Sequence, residues 1–147
     1  MPQDRPPSKN LMDGAAPTMA QLLFVYGTLR LGGSNDIRRY GPGSRLVGPA
    51  RVRGRLYDLG DYPGLVLGGP AWVMGELHWV SPAIEPALDE LEEVWPQRSG
   101  LYRRTRALVF AGNESRSALV YEMDSRRAQD WPLIECGDWI THVGRRP

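Results

Sequence analysis

Leu22-Leu23-Phe24-Val25-Tyr26-Gly27-Thr28-Leu29-Arg30 is the stretch on which the reading of this chain turns. The apolar run Leu22 to Val25 reads as a buried strand that breaks at a glycine followed by Thr and Leu. A strand ending in a glycine turn exposes backbone N–H groups with no bulky side chain over them. Such a turn can hold a carboxylate or another small anion. An ordinary strand end carries the same local pattern, so the surrounding sequence has to decide between the two.

The chain has 147 residues, 41% of them hydrophobic and 24% charged, with 18 basic and 17 acidic residues. That is enough for one domain with a true core, and the balanced charge argues against a nucleic-acid partner. Arg103, Arg104 and Arg106 cluster locally, but in a strand they project to alternate faces and read as solvated surface. One cysteine, Cys136, excludes an internal disulfide and suits a reducing compartment; it reads as a small buried residue. The sequence lacks an apolar stretch long enough to span a membrane and a secretory core at its N-terminus. The expectation is a cytoplasmic protein, monomeric by default. Residues 1–18, with Pro2, Pro6, Pro7 and Pro17 among polar residues, read as a disordered leader before a single domain at 19–147.

After the first strand, Gly32-Gly33-Ser34-Asn35 reads as a loop, with Ser34 or Asn35 capping a short helix through Tyr40. Val47 to Leu59 reads as a strand pair or one bent strand, with bends at Gly48-Pro49 and Gly54. Gly60-Asp61-Tyr62-Pro63-Gly64 is a turn, followed by strands at Leu65 to Leu67 and Trp72 to Val80. Ser81-Pro82 opens a helix whose buried stripe is Ile84, Ala87, Leu88 and Leu91, and Trp95-Pro96 ends it. Tyr102 to Phe110 and Ala118 to Met123 form a hairpin around Gly112-Asn113. Many strands and few helices, without βαβ alternation, predict an α+β domain on a curled sheet or barrel.

The helix carries Glu85, Asp89, Glu90, Glu92 and Glu93, a composition that ordinarily makes a solvated face. At roughly 100° per residue, Glu92 lies nearest the apolar stripe and within one turn of Leu88. Glu93 and Asp89 point largely away, with Glu90 and Glu85 between. A carboxylate at an apolar edge has its pKa raised by desolvation, which suits a general acid or base. His78 sits in a strand pattern and His142 in a tail, with no ligand-spaced partners, so no metal site is expected. Asp61 and Asp138 read as turn residues, and Gly32-Gly33 lacks the lysine and spacing of a phosphate loop.

An ordered series across the chain resembles the γ-glutamylcyclotransferase-like family, including its small bacterial members and the γ-glutamylamine cyclotransferases. The series runs Tyr26-Gly27-Thr28-Leu29-Arg30, Gly54-Arg55-Leu56-Tyr57-Asp58, Tyr62-Pro63-Gly64 and Gly75-Glu76-Leu77. It continues with Leu88-Asp89-Glu90-Leu91-Glu92, Tyr102-Arg103-Arg104, Val120-Tyr121 and Gly137-Asp138-Trp139. The resemblance implies a mixed-strand β-barrel with flanking helices. It also implies an intramolecular reaction, in which the α-amine of a γ-glutamyl group attacks its own side-chain amide to release 5-oxoproline and a free amine. No cofactor is implied. Position by position, the family's catalytic glutamate falls on Glu92. The turn Tyr26, Gly27, Thr28 and Leu29 would hold the glutamyl end, with Tyr62, Tyr102 and Tyr121 beside it in the substrate site. The two tyrosines Tyr102 and Tyr121 have an equally ordinary reading as core residues with satisfied hydroxyls. Glu93 stands where family members commonly carry glycine, and Cys136 where serine is frequent. The alternative on the same fold is a non-catalytic module that binds a small molecule or a protein.

Overall fold

Strand β1 (Gln21–Val25) is apolar at successive positions because both of its faces are covered. Leu22 and Phe24 belong to one hydrophobic cluster, Leu23 and Val25 to another. The computed structural model describes residues 20–88 and 102–145. After β1 come a 3-10 helix (Ile37–Tyr40), β2 (Ser44–Asp58), β3 (Pro63–Val80), β4 (Tyr102–Ala111), β5 (Glu114–Met123) and two short helices, α1 (Ser125–Ala128) and α2 (Trp139–Gly144).

The strands close into a ring in the order β1-β3-β2-β4-β5. Neighbours pair antiparallel except at the seam, where β5 meets β1 in parallel through Leu23 and Leu119. This is the expected mixed-strand barrel in an α+β domain. One cluster draws Phe24, Val52, Leu77, Val109 and Val120 from all five strands and is joined by Ile134 and Trp139 of the C-terminal segment. The second lies on the opposite faces, where Ile37, Ile84, Leu88 and Ala128 pack against Leu23, Val25, Val80 and Leu119. Each fully buried Leu, Val or Phe stabilises the fold by about 1.5–3 kcal/mol.

Strand β2 shows the other regime. Ala50, Val52 and Leu56 are buried, while Arg51, Arg53 and Arg55 between them are exposed, as period-two alternation requires when one face meets water. The bent-strand reading of this segment holds, with register shifts between Leu46 and Gly48 and between Arg53 and Gly54. The second shift corrects the reading of β3. Arg53 pairs with Trp72 and Gly54 with Leu67, so the intervening Gly68, Gly69, Pro70 and Ala71 bulge out of one continuous strand. Two glycines with φ of 104° and 85° permit that excursion without ending the strand.

Three other expectations change. The 3-10 helix is capped by Asp36, whose carboxylate accepts from the Arg38 N–H, and not by Ser34 or Asn35. Cys136 is exposed, because Ile134 takes the buried position of its loop. His142 lies in α2 and not in a tail, with Nε2 2.7 Å from Asp58 Oδ2. The hairpin turn at Gly112-Asn113 is as read, and Gly112 adopts φ 62° there. The Ser81 hydroxyl accepts from the Ala83 N–H, and residues 85–88 are helical.

Candidate active site

Where β1 ends, the chain makes a turn whose carbonyls are all engaged by the protein itself. Arg30 N–H donates to Gly27 O at 3.0 Å, Asn35 N–H to Thr28 O at 2.9 Å and Ile37 N–H to Leu29 O at 3.0 Å. In a trans peptide the N–H points opposite to the C=O of the same plane. The N–H groups of Thr28 and Leu29 are thus turned away from these bonds. Among the described residues no acceptor is found for the N–H groups of Gly27, Thr28 or Leu29. The Thr28 hydroxyl accepts from Asn35 Nδ2 at 3.2 Å, which ties the turn to its following loop.

The residues of this turn line a small cleft with a cavity volume of about 30 Å³. Tyr26, Gly27, Thr28 and Leu29 form one wall, and Tyr62, Tyr102 and Tyr121 contribute aromatic rings, so all seven residues expected at a substrate site meet there. Phe24, Val25, Asn35 and Pro63 complete the lining. Glycine at position 27 follows from packing, since a Cβ there would lie 2.6 Å from Pro63 Cγ. The turn and the Tyr62-Pro63-Gly64 segment are in this way matched surfaces.

Two of the tyrosine hydroxyls are tied to backbone carbonyls. Tyr102 Oη donates to Pro63 O at 2.8 Å, and Tyr26 Oη donates to Tyr121 O at 2.6 Å. The Tyr62 and Tyr102 rings stand 6.2 Å apart at a tilt of 52°. The Tyr26 and Tyr102 hydroxyls are thus held by backbone carbonyls, and both residues border the cleft.

Glu92, together with Asp89, Glu90 and Glu93, lies outside the described residues. The described acid of that helix, Glu85, is elsewhere engaged: its carboxylate accepts from Arg104 at 2.8 Å and faces Gln21 Nε2 at 3.5 Å. Arg106 donates to Gln21 Oε1 at 2.6 Å, and Arg103 pairs with Glu122, so the basic cluster is spent on its own protein.

Behind the turn lies a polar network that the residue pattern did not disclose. Glu76 on β3, opposite Val25 of β1, accepts the Leu31 N–H at 2.9 Å and faces Arg30 Nε at 3.4 Å. Arg30 reaches on to Asp138 Oδ1 at 2.9 Å, and Asp138 also caps α2 by accepting from Ile140 and Thr141. Asp138 is therefore more than the turn residue it was read as. Burial pushes the Glu76 carboxyl up, but hydrogen bonds from His78 and the Leu31 N–H, with the Arg30 charge, outweigh it and hold it below the usual carboxylate value. His78 is buried with Nε2 3.1 Å from Glu76, and its Nδ1 has no partner among the described residues. The signal in the sequence was indirect: Arg30, Glu76 and Asp138 each sit inside a separate short motif, and only the fold brings the motifs together. No cluster of potential metal ligands occurs among the described residues, and no helix among them is long and apolar enough to cross a membrane.

The family model of "Gamma-glutamyl cyclotransferase, AIG2-like" proteins matches residues 23–141. A relative from Vibrio cholerae serotype O1 that carries a gamma-glutamylcyclotransferase name is 38% identical over 128 residues, covering 85% of this chain and 100% of that one. Gamma-L-glutamyl-butirosin B gamma-glutamyl cyclotransferase of Niallia circulans is 44% identical over 72 residues, 48% of this chain and 45% of that one. An AIG2-like protein of Mus musculus superposes with a TM-score of 0.62 at 25% identity, covering 76% of this chain and 82% of that one.

Proposed function

We propose that this chain, which belongs to the gamma-glutamyl cyclotransferase, AIG2-like family, cleaves a γ-glutamyl amine or γ-glutamyl amino acid and releases 5-oxoproline. The observation that carries the reading is the row of backbone N–H groups at Gly27, Thr28 and Leu29, without acceptors among the described residues, in a cleft walled by tyrosines. Three successive N–H donors on the wall of one small cleft suit the α-carboxylate of a glutamyl head.

The chemistry asks little of the protein. The nucleophile is tethered to its electrophile, so folding the substrate replaces the cost of bringing two molecules together. The α-nitrogen gives up two protons as it forms the C–N bond of the ring, and the departing nitrogen takes up two as its own C–N bond breaks. One carboxylate can carry both transfers, and Glu92 is the proposed carrier because it sits at the apolar edge of its helix pattern. Tyr62, Tyr102 and Tyr121 would close the sides of the site and limit water around the reacting amide.

The test is 5-oxoproline release from a panel of γ-glutamyl amines and dipeptides, with Glu92→Gln alongside. The wild type is expected to release product from at least one member, and the glutamine variant to fall by about a hundredfold or more, the scale of a lost general base. A variant of near-normal activity would remove Glu92 from the mechanism. A folded wild type that turns over nothing would leave the binding module on the same fold as the better account.

A further inference from the structure

We propose that Glu76 is the positioning residue of the glutamyl-holding turn, fixing its backbone N–H groups from behind through Leu31 and Arg30. The assignment rests on the reading of that turn given above. It starts from an asymmetry in the turn's bonding: the carbonyls of Gly27, Thr28 and Leu29 are each held by a backbone N–H downstream, at Arg30, Asn35 and Ile37. Those downstream residues must themselves be held still for the turn to keep its shape. Asp36 secures the far end, accepting from Gly32 N–H and from Arg38. Glu76 secures the near end. Its Oε1 accepts the Leu31 N–H, and its Oε2 faces the guanidinium of Arg30, whose own N–H closes the turn onto Gly27.

The anchor is rigid because it is cross-braced. Glu76 sits on β3 in register with Val25, the last residue of β1 before the turn begins. Arg30 bridges Glu76 to Asp138, and Gly137 O accepts the Met74 N–H at 2.8 Å, binding the C-terminal segment to the same strand two residues away. Both Glu76 and Arg30 have side chains only 14% exposed, so water competes poorly for these bonds. A carboxylate is the group the place requires. It offers acceptors at both ends, whereas an amide offers one and would set an N–H against either Arg30 or Leu31. Glu76 itself does not line the cleft, so it acts on the substrate only through the turn.

A group that shapes a binding turn, and not the reacting atoms, affects ground state and transition state alike, which raises KM and leaves kcat in place. In Glu76→Gln, KM for the γ-glutamyl substrate and Kd for 5-oxoproline by calorimetry should each rise about tenfold, with kcat within about twofold of wild type. Amide exchange at Leu31 in the ligand-free protein should quicken by about tenfold as a charge-assisted bond becomes a neutral one. Arg30→Lys, which keeps the charge but not the fork, should show a smaller KM rise in the same direction and serves if the glutamine variant does not fold. Unchanged KM and Kd in both variants, or a fall in kcat alone, would overturn the assignment. A wild type that releases no 5-oxoproline would overturn the reaction instead, and Leu31 exchange would then decide Glu76 by itself: quicker exchange upholds it, unchanged exchange ends it.

Discussion

Arg30 and Arg53 are the same residue used in opposite ways. Arg30 lies between two carboxylates, Glu76 and Asp138, with its side chain 14% exposed. Arg53 lies on the outer face of β2, where its guanidinium sits 3.7 Å above the Trp72 ring, Arg51 covers the same ring at 4.4 Å, and Arg53 Nη1 donates to Pro70 O. The first arginine is charge-matched in a half-dry place beside the cleft. The second is draped on an aromatic surface beside water. What a charged side chain is worth depends on what its removal would strand. Without Arg30, Glu76 is left nearly buried against His78 with its countercharge gone. Without Arg53, Trp72 still has Arg51 and solvent.

The sharpest way to break this contrast is Arg30→Met, which keeps bulk and removes charge. Removing one partner of a buried pair costs about 3–5 kcal/mol, and the residual exposure here lowers that to about 2–3 kcal/mol. Urea denaturation is the measurement. A loss below about 1 kcal/mol would mean that water already screens the network and that the two arginines are alike.

Acid titration sharpens the contrast without altering shape. The folded-state pKa of Glu76 is lowered, so its contribution to stability is complete above the unfolded value near 4.5 and is lost as pH falls through the folded value. The stability gap between wild type and Glu76→Gln should thus be widest near neutral pH and close progressively in acid. The gap between wild type and Arg53→Ala should stay level over the same range, since Trp72 does not titrate. A Glu76 gap that persists at about pH 2 would show that the carboxyl's shape, and not its charge, holds the turn.

The parts of this fold that were legible in the sequence are those where one local rule acts alone. The continuous apolar run of β1, the alternation in β2 and the glycine turn of the last hairpin each follow from burial or backbone geometry within a few residues. The bulge at Gly68 to Ala71 was read as a break between strands, because two glycines and a proline give the same signal whether a strand ends or swells. The wall of the cleft was legible as a glycine turn after a buried strand. Its support was not: Arg30, Glu76 and Asp138 are 46 and 62 residues apart along the chain, and nothing in their neighbours says that they touch. Long-range polar contacts of this kind leave no periodicity, and a residue such as Asp138 looks like any helix cap until its second partner is seen.

The smallest effect belongs to the outer arginine. Arg53→Ala removes one of two cations from the Trp72 face, and a cation–π contact beside water is worth about 0.5–1 kcal/mol. Trp72 keeps its edge-to-face contact with Phe110 at 5.4 Å, so the aromatic pair does not come apart. Catalytic constants should not move, because none of these residues lines the cleft. Adding Arg51→Ala should cost more than the two single losses suggest, since only the double variant bares the ring to water. Should Arg53→Ala alone cost more than about 2 kcal/mol, the stack on Trp72 would be a structural brace equal to the Arg30 network, and burial would no longer explain why the protein spends one arginine on two carboxylates and two on a single tryptophan.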